Sequence, residues 1–276
     1  MSLTSTRPIS VDPPPSVKLN RRWNNLAIGL VVLALAASYP LTQISPGGLL
    51  SGLGDSVRFI FGSPDRPYSG FFPPDFSRWQ TYLVEMLVTV AMGLWGTVLS
   101  LILAVPLSFM GAQNVAPRWL YNLTRPVLDF LRGLPDLVLA LIFVAALGLG
   151  PFPGIMALAL STAGSLAKLL SEAVEAVDPG QIEAVKATGA SPVLVLLYGY
   201  WPQILPLFAS YTLYRFEVNV RAATLLGIVG AGGIGFYLQE AMRGFDFRST
   251  CALIIIILVT VRLVDWGSAR LRARII

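Results

Sequence analysis

The sequence predicts an all-α membrane protein that crosses the bilayer about six times, and three observations carry that prediction. Apolar residues make up 55% of the 276 and charged residues only 13%, where an ordinary soluble domain has about 25% charged. The apolar residues gather in long runs, Leu26–Tyr39, Leu87–Met110, Leu137–Leu149 and Cys251–Val261, with none of the strand-length alternation of a barrel. Lysines and arginines collect beside the ends of these runs, where they set topology.

Each element follows in order. The tail Met1–Arg22, with Pro13, Pro14 and Pro15 in a row, is too polar and Pro/Ser-rich to bury a core and is expected to be disordered. The first helix lies between Trp23 and Pro40. A loop is expected over Leu41–Arg78, which holds Pro46, Gly47, Gly48, Pro64, Pro67, Pro73 and Pro74. The second helix runs from Trp79 to Phe109 and is long enough to tilt, or to bend near Pro106. A basic segment with Arg118, Arg125 and Arg132 leads into a third helix from Pro135. Asp129, Arg132 and Asp136, spaced by three and four, are read as a local charge ladder at the membrane boundary. The uncharged turn Gly148–Gly154 precedes a fourth helix ending near Leu170. A fifth extends to Leu226, and a sixth covers Ser249–Trp266 with Arg270, Arg272 and Arg274 behind it. With six crossings, the basic clusters at the N-terminus, between the second and third helices and at the C-terminus share one side. Both termini are therefore expected in the cytoplasm.

Composition also excludes. The chain has no His and one Cys, which removes a Cys/His zinc site, a disulfide and any His-dependent triad. The net charge of +5 is assigned to topology, and no nucleic-acid partner is expected.

Three features carry functional information. Between the fourth and fifth helices, Ser171–Gly189 turns polar, with Glu172, Glu175, Asp178 and Glu183 against Lys168 and Lys186. Asp178-Pro-Gly-Gln181 reads as an N-cap, a Pro at the first helical position and a capping-box Gln. Gly189 closes that short helix and Ser191-Pro192 starts another. An ordinary surface helix and a partner-docking helix both satisfy this pattern. Second, Gly230-Ala-Gly232-Gly233-Ile-Gly235 fits the G-x-G-x-x-G pattern, but it follows an apolar helix where a dinucleotide site needs a buried strand. It is read as a tight turn on the external side that folds a short helix back on the bundle. No G-x-x-x-x-G-K-[ST] occurs. Third, Arg215, Glu217, Asn219 and Arg221 fall inside the fifth helix, where each charge costs about 2.5 to 3.5 kcal/mol. Either they neutralise one another, Glu217 pairing with Arg221 at i, i+4, or they line an anion path, for which guanidinium suits phosphate-like geometry.

The register of Glu183-Ala184, Gly189 and Pro202 resembles the EAA loop of the permeases of ATP-binding-cassette (ABC) importers, with Val185, Gly199 and Trp201 as departures. Four further segments, Phe71–Trp79, Leu170–Gly180, Tyr214–Thr224 and Gly227–Gly235, look like the permease of phosphonate importers, a branch that also carries phosphite and hypophosphite. This resemblance implies a type I, methionine-importer-like permease fold over residues 23–276, with its core at about 79–268 and a cytoplasmic coupling loop at 178–202. It implies that Asp178, Glu183, Ala184, Lys186, Gly189, Ala190 and Pro202 face a cytoplasmic ATPase dimer, which binds ATP and Mg²⁺ in place of this chain. The chain is then a non-catalytic subunit of a bacterial inner membrane, working with a second permease chain (a homodimer) and an external substrate-binding protein. The alternatives are an importer for another small solute such as an amino acid, or a secondary transporter. The last predicts inverted repeats and a helix broken at the midplane. A membrane-embedded enzyme, without His, has only scattered Ser, Thr and carboxylates to use.

Overall fold

The structure is a computed structural model that describes residues 21–42, 46–62 and 70–275. The predicted tail lies almost wholly outside the described residues. Among them every element is helical, and the chain divides into two units, Met1–Val57 and Arg58–Ile276.

In the first unit, α1 (Arg21–Thr42) shows Leu26, Ile28, Leu30, Val31, Leu33 and Leu35 all exposed. An apolar residue on every side of a helix fits a lipid solvent. A second helix, α2 (Pro46–Phe61), begins where a loop was expected. Its glycines read as turn punctuation, yet Pro46 occupies the first helical position and Leu49, Leu50, Leu53, Val57 and Ile60 recur at helical spacing.

The second unit is built round α3 (Trp79–Met110), which packs along α6 (Pro151–Glu175) and against α9 (Trp201–Leu226). Small residues let these helices approach. A Cβ on Gly93 would meet Val220 at 2.7 Å, and one on Gly96 would meet Leu158 Cβ at 2.7 Å. Membrane helices associate through such close backbone contact because lipid offers no hydrophobic drive. The buried face of α3 accordingly carries Gly93, Gly96, Thr97, Ser100 and Ala104, while Leu87, Leu94 and Ile102 stay exposed.

Four stretches are long and apolar enough to cross a membrane: Trp79–Met110, Pro151–Glu175, Pro192–Ala231 and Phe247–Arg274. A fifth is broken. The segment expected to be a basic lead-in is α4 (Arg118–Gly133), and α5 (Asp136–Leu147) leaves it at 88°. Pro135 supplies the break, since it cannot continue α4 and its ring keeps Leu134 extended at ψ 122°. The six apolar stretches read from the sequence are thus all helical, with Asn25–Pro40 shorter than the four unbroken spans.

After α6 come α7 (Pro179–Ala187) and the one-turn α8 (Pro192–Val195). A π-turn over Leu196–Tyr200 leads into α9, and a second over Gly227–Ala231 closes it. The short α10 (Ile234–Arg243) folds back against α3 and α11 (Phe247–Ile275). The last helix outruns the expected Ser249–Trp266, so Arg270, Arg272 and Arg274 lie on a helix and not on a tail.

Candidate functional site

The polar loop forms the two short helices expected. Asp178 caps α7, its carboxylate accepting from Gly180 N at 2.9 Å. The capping-box partner differs from the expected one. The Asp178 N–H donates to Gln203 Oε1 at 3.1 Å, and Gln203 Nε2 donates to Gly199 O at 2.8 Å. Gln203, not Gln181, therefore ties the start of α7 to the start of α9. Gly189 turns the chain at φ +78°, which a residue with a Cβ adopts only under strain.

Ile182 is the buried anchor of α7, packed with Ala173, Val174, Val195, Tyr200 and Ile204, and the half-buried Val185 packs against the same cluster. Gly199, a departure from the EAA pattern, has a physical reason, because a Cβ there would stand 3.0 Å from Ile182 Cδ1. Glu183, Ala184, Lys186 and Pro202 are exposed, Ala190 is half-buried, and α7 presents its whole outer face.

A clamp that the sequence reading did not foresee joins this loop to the bundle. Arg125 donates through Nη2 to Glu175 Oε1 at 2.6 Å and through Nε to Gly111 O at 2.9 Å. The same carboxylate oxygen accepts Gln113 N at 2.8 Å, and Asn114 Nδ2 donates to Val174 O at 2.8 Å. The ends of α3 and α6 and the middle of α4 are thus held at one point, three residues before the α7 cap. Glu175 had been grouped with the acidic loop and Arg125 with the topogenic charges. No local spacing connects residues 50 apart.

The four polar residues of α9 do not form one lining. Asn219 is buried and joins three helices, accepting from Thr162 Oγ1 at 2.7 Å and donating to Thr97 Oγ1 at 2.9 Å. The expected Glu217–Arg221 pair is long, at 3.9 Å. Both residues turn instead to α11, where Glu217 meets Arg272 at 2.7 Å and Arg221 meets Asp265 at 3.0 Å. Arg215 faces elsewhere. The charges of Asp136 and Arg132 at the α4–α5 break act on it, and it lies 5.8 Å from the Tyr214 ring centre. The expected ladder is likewise divided: Asp129 binds Lys168 of α6 at 3.0 Å, leaving Arg132 and Asp136 on either side of the break.

The glycine segment is a tight turn, as expected. Gly230, Gly232 and Gly233 have φ of +93°, +76° and +67°. Thr89 Oγ1 accepts Ile234 N at 2.9 Å, and a Cβ on Gly235 would fall 2.0 Å from Thr224 O. Space for a nucleotide is therefore filled by protein. Among the described residues no group of three or more His, Cys, Asp and Glu is placed to hold a metal ion.

Residues 96–276 match the family described as binding-protein-dependent transport system inner membrane component. The chain is 38% identical over 253 residues to the phosphite transport system permease protein PtxC of Stutzerimonas stutzeri, covering 91% of this chain and 89% of that one. It is 37% identical over 273 residues to the phosphate-import permease protein PhnE of Mycolicibacterium smegmatis, covering 98% of this chain and 50% of that one. Among solved structures, a chain of the MetNI methionine ABC transporter in an inward-facing conformation superposes with a TM-score of 0.65 at 19% identity, over 72% of this chain and 99% of that one. That likeness establishes the type I permease fold and says nothing of cargo.

Proposed function

The chain belongs to the family of binding-protein-dependent transport system inner membrane components, and from that premise we propose that its cargo is phosphite, phosphonate or a related phosphorus oxyanion. As a permease subunit it is not itself an enzyme. It works with a substrate-binding protein and an ATPase on separate chains, and the broken helix α4–α5 belongs to an ABC permease and not to a secondary transporter. The observation that carries the cargo is the 38% identity to a phosphite permease over 91% of the chain.

The rest of the reading rests on the likeness of the 178–202 loop to the coupling loop of such permeases and on the distribution of basic residues. The exposed face of α7 with Glu183, Ala184 and Lys186 is the surface that meets the ATPase, and that partner holds ATP and Mg²⁺. Both termini and α7 are on the cytoplasmic side, and the glycine turn is external. A second copy of the chain completes the pathway. The match to half the length of the M. smegmatis protein supports a double-length permeation unit. ATP-driven closure of the ATPases displaces α7. The Asp178–Gln203 bond and Ile182 pass that displacement to α9, and Glu175–Arg125 passes it to α4, so the packed bundle switches between two arrangements.

Titration of the cognate binding protein with phosphite, methylphosphonate, hypophosphite, phosphate and methionine tests the cargo. The reading requires a phosphorus oxyanion to bind at least about a hundredfold more tightly than methionine, a difference of roughly 2.7 kcal/mol. Preference for methionine would transfer the chain to the amino-acid importers.

A further inference from the structure

The broken span α4–α5 places charge where a membrane protein rarely tolerates it. Depth can be read off α6, whose 25 residues run from Pro151 to Glu175. At the middle of that helix, Thr162 binds Asn219, and a Cβ on Gly164 would stand 2.5 Å from Leu131 Cβ and 3.0 Å from Arg132 N. Arg132, the break and Asp136 therefore lie near half-depth. Arg215, one helical turn from Asn219 on α9, lies at a similar level, and α5 packs on α9 through Leu139 and Ala140 against Ala223 and Leu226. The charges of Asp136 and Arg132 reach the Arg215 guanidinium.

These groups differ from the charges that meet between α9 and α11. Glu217, Arg221, Asp265 and Arg272 pair with one another between α9 and α11, although Arg272 Nε, like Arg215 Nε, is enclosed without a hydrogen-bonding partner. Among the described residues Arg132 and Arg215 have no ion pair, and Arg215 Nε is enclosed with no hydrogen-bonding partner. Arg132, Gly133 and Pro135 are exposed on the surface of the single chain. An arginine exposed at half-depth cannot face acyl chains without a cost of about 2.5 to 3.5 kcal/mol or more, so this surface faces water or protein.

We infer that Arg132, at the α4–α5 break, and Arg215, on α9, form a mid-membrane contact site for the phosphorus oxyanion, with Asp136 beside them. The inference rests on the cargo proposed above. Two guanidinium groups supply forked donors that match the oxygens of a tetrahedral anion. One carboxylate leaves the site with a net charge of +1, enough to draw an anion in and too little to trap it, as conduction requires. The rigid break fixes Arg132 on one wall while α9 carries Arg215 on another. Relative movement of α9 and α4 thus opens or closes the pair.

The test is ATP-driven phosphite uptake by the complete importer in proteoliposomes, with Arg132→Gln, Arg215→Gln and the double variant Arg132→Gln/Asp136→Asn. Each single variant is expected to lower maximal uptake about tenfold or more, the size of one lost charge-assisted hydrogen bond. The double variant is expected to stay low, because restoring the net charge of +1 does not restore an anion contact. Wild-type maximal uptake in either single variant, or recovery in the double, overturns the site and leaves only mutual neutralisation. If a Gln variant does not assemble, Arg132→Lys and Arg215→Lys decide: reduced uptake supports the forked contact, and full uptake overturns it. A wild-type importer that moves no phosphorus oxyanion at all contradicts the cargo, a result distinguishable from failure of this site.

Discussion

Glu217 on α9 and Arg272 near the end of α11 meet at 2.7 Å, and Glu217 is the more enclosed partner, with 12% of its side chain exposed against 34% for Arg272. This contact makes the C-terminal turns of α11 part of the bundle. Glu217→Gln removes the acceptor shared by two arginines and is expected to destabilise the chain by about 1–3 kcal/mol. Arg221→Gln, at a side chain half exposed to its surroundings, is expected to cost under about 1 kcal/mol. Thermal unfolding of the purified permease in detergent checks the order, and equal shifts would contradict it.

The Arg125–Glu175 clamp gives a second expectation. Arg125→Gln leaves Glu175 with only the Gln113 amide and is expected to cost about 1–3 kcal/mol. It should also lower uptake per ATP hydrolysed, because α4 is released from the end of α6. Arg125→Gln/Glu175→Gln is expected to recover stability but not coupling. Parallel measurement of Tm and of the ratio of transport to hydrolysis separates the two effects, and full recovery of both would assign the clamp to folding alone.

Glu183 is exposed on α7 and its side chain makes no hydrogen bond or ion pair with any of the described residues, so its substitution reads docking in preference to folding. Glu183→Lys is expected to leave the free energy of unfolding within about 0.5 kcal/mol of wild type, as surface changes do. Uptake is expected to fall while the ATPase continues to turn over. Normal uptake by that variant would remove α7 from the coupling interface.

The glycine turn yields the sharpest steric prediction. A methyl on Gly235 falls 2.0 Å from Thr224 O, and on Gly233 it falls 2.4 Å from Thr89 Oγ1 at φ +67°. Either Gly→Ala change is expected to cost about 2 kcal/mol or more, from overpacking and backbone strain. At Gly267 no atom lies within 4 Å of the added Cβ, and Ala there is expected to be neutral or slightly stabilising. Yields of folded protein from membranes rank the three variants.

The helices legible in the sequence were those with unbroken apolar character. Trp79–Met110 matched within a residue of its end, and the Asp178 cap, the Gly189 turn and the glycine turn before α10 all follow from local chemistry. What escaped was decided elsewhere. The α2 glycines looked like a loop because helix and turn both accept glycine, and apolar spacing had to break the tie. Arg132 looked like a boundary charge because its depth is set by Gly164, more than thirty positions away in the chain. Glu217 and Arg221 were in register for each other, yet α11 offered Arg272 and Asp265 at shorter distance. Pairing across helices is a tertiary property, and i, i+4 spacing cannot see it.

The most direct measurement is uptake of phosphite into proteoliposomes holding this permease, its ATPase and its binding protein, with and without ATP inside the assay compartment that the ATPase faces. The account predicts accumulation that needs ATP, needs the binding protein, and is competed by methylphosphonate or phosphate but not by methionine. ATP-independent accumulation, or accumulation of methionine with phosphite ignored, would contradict it.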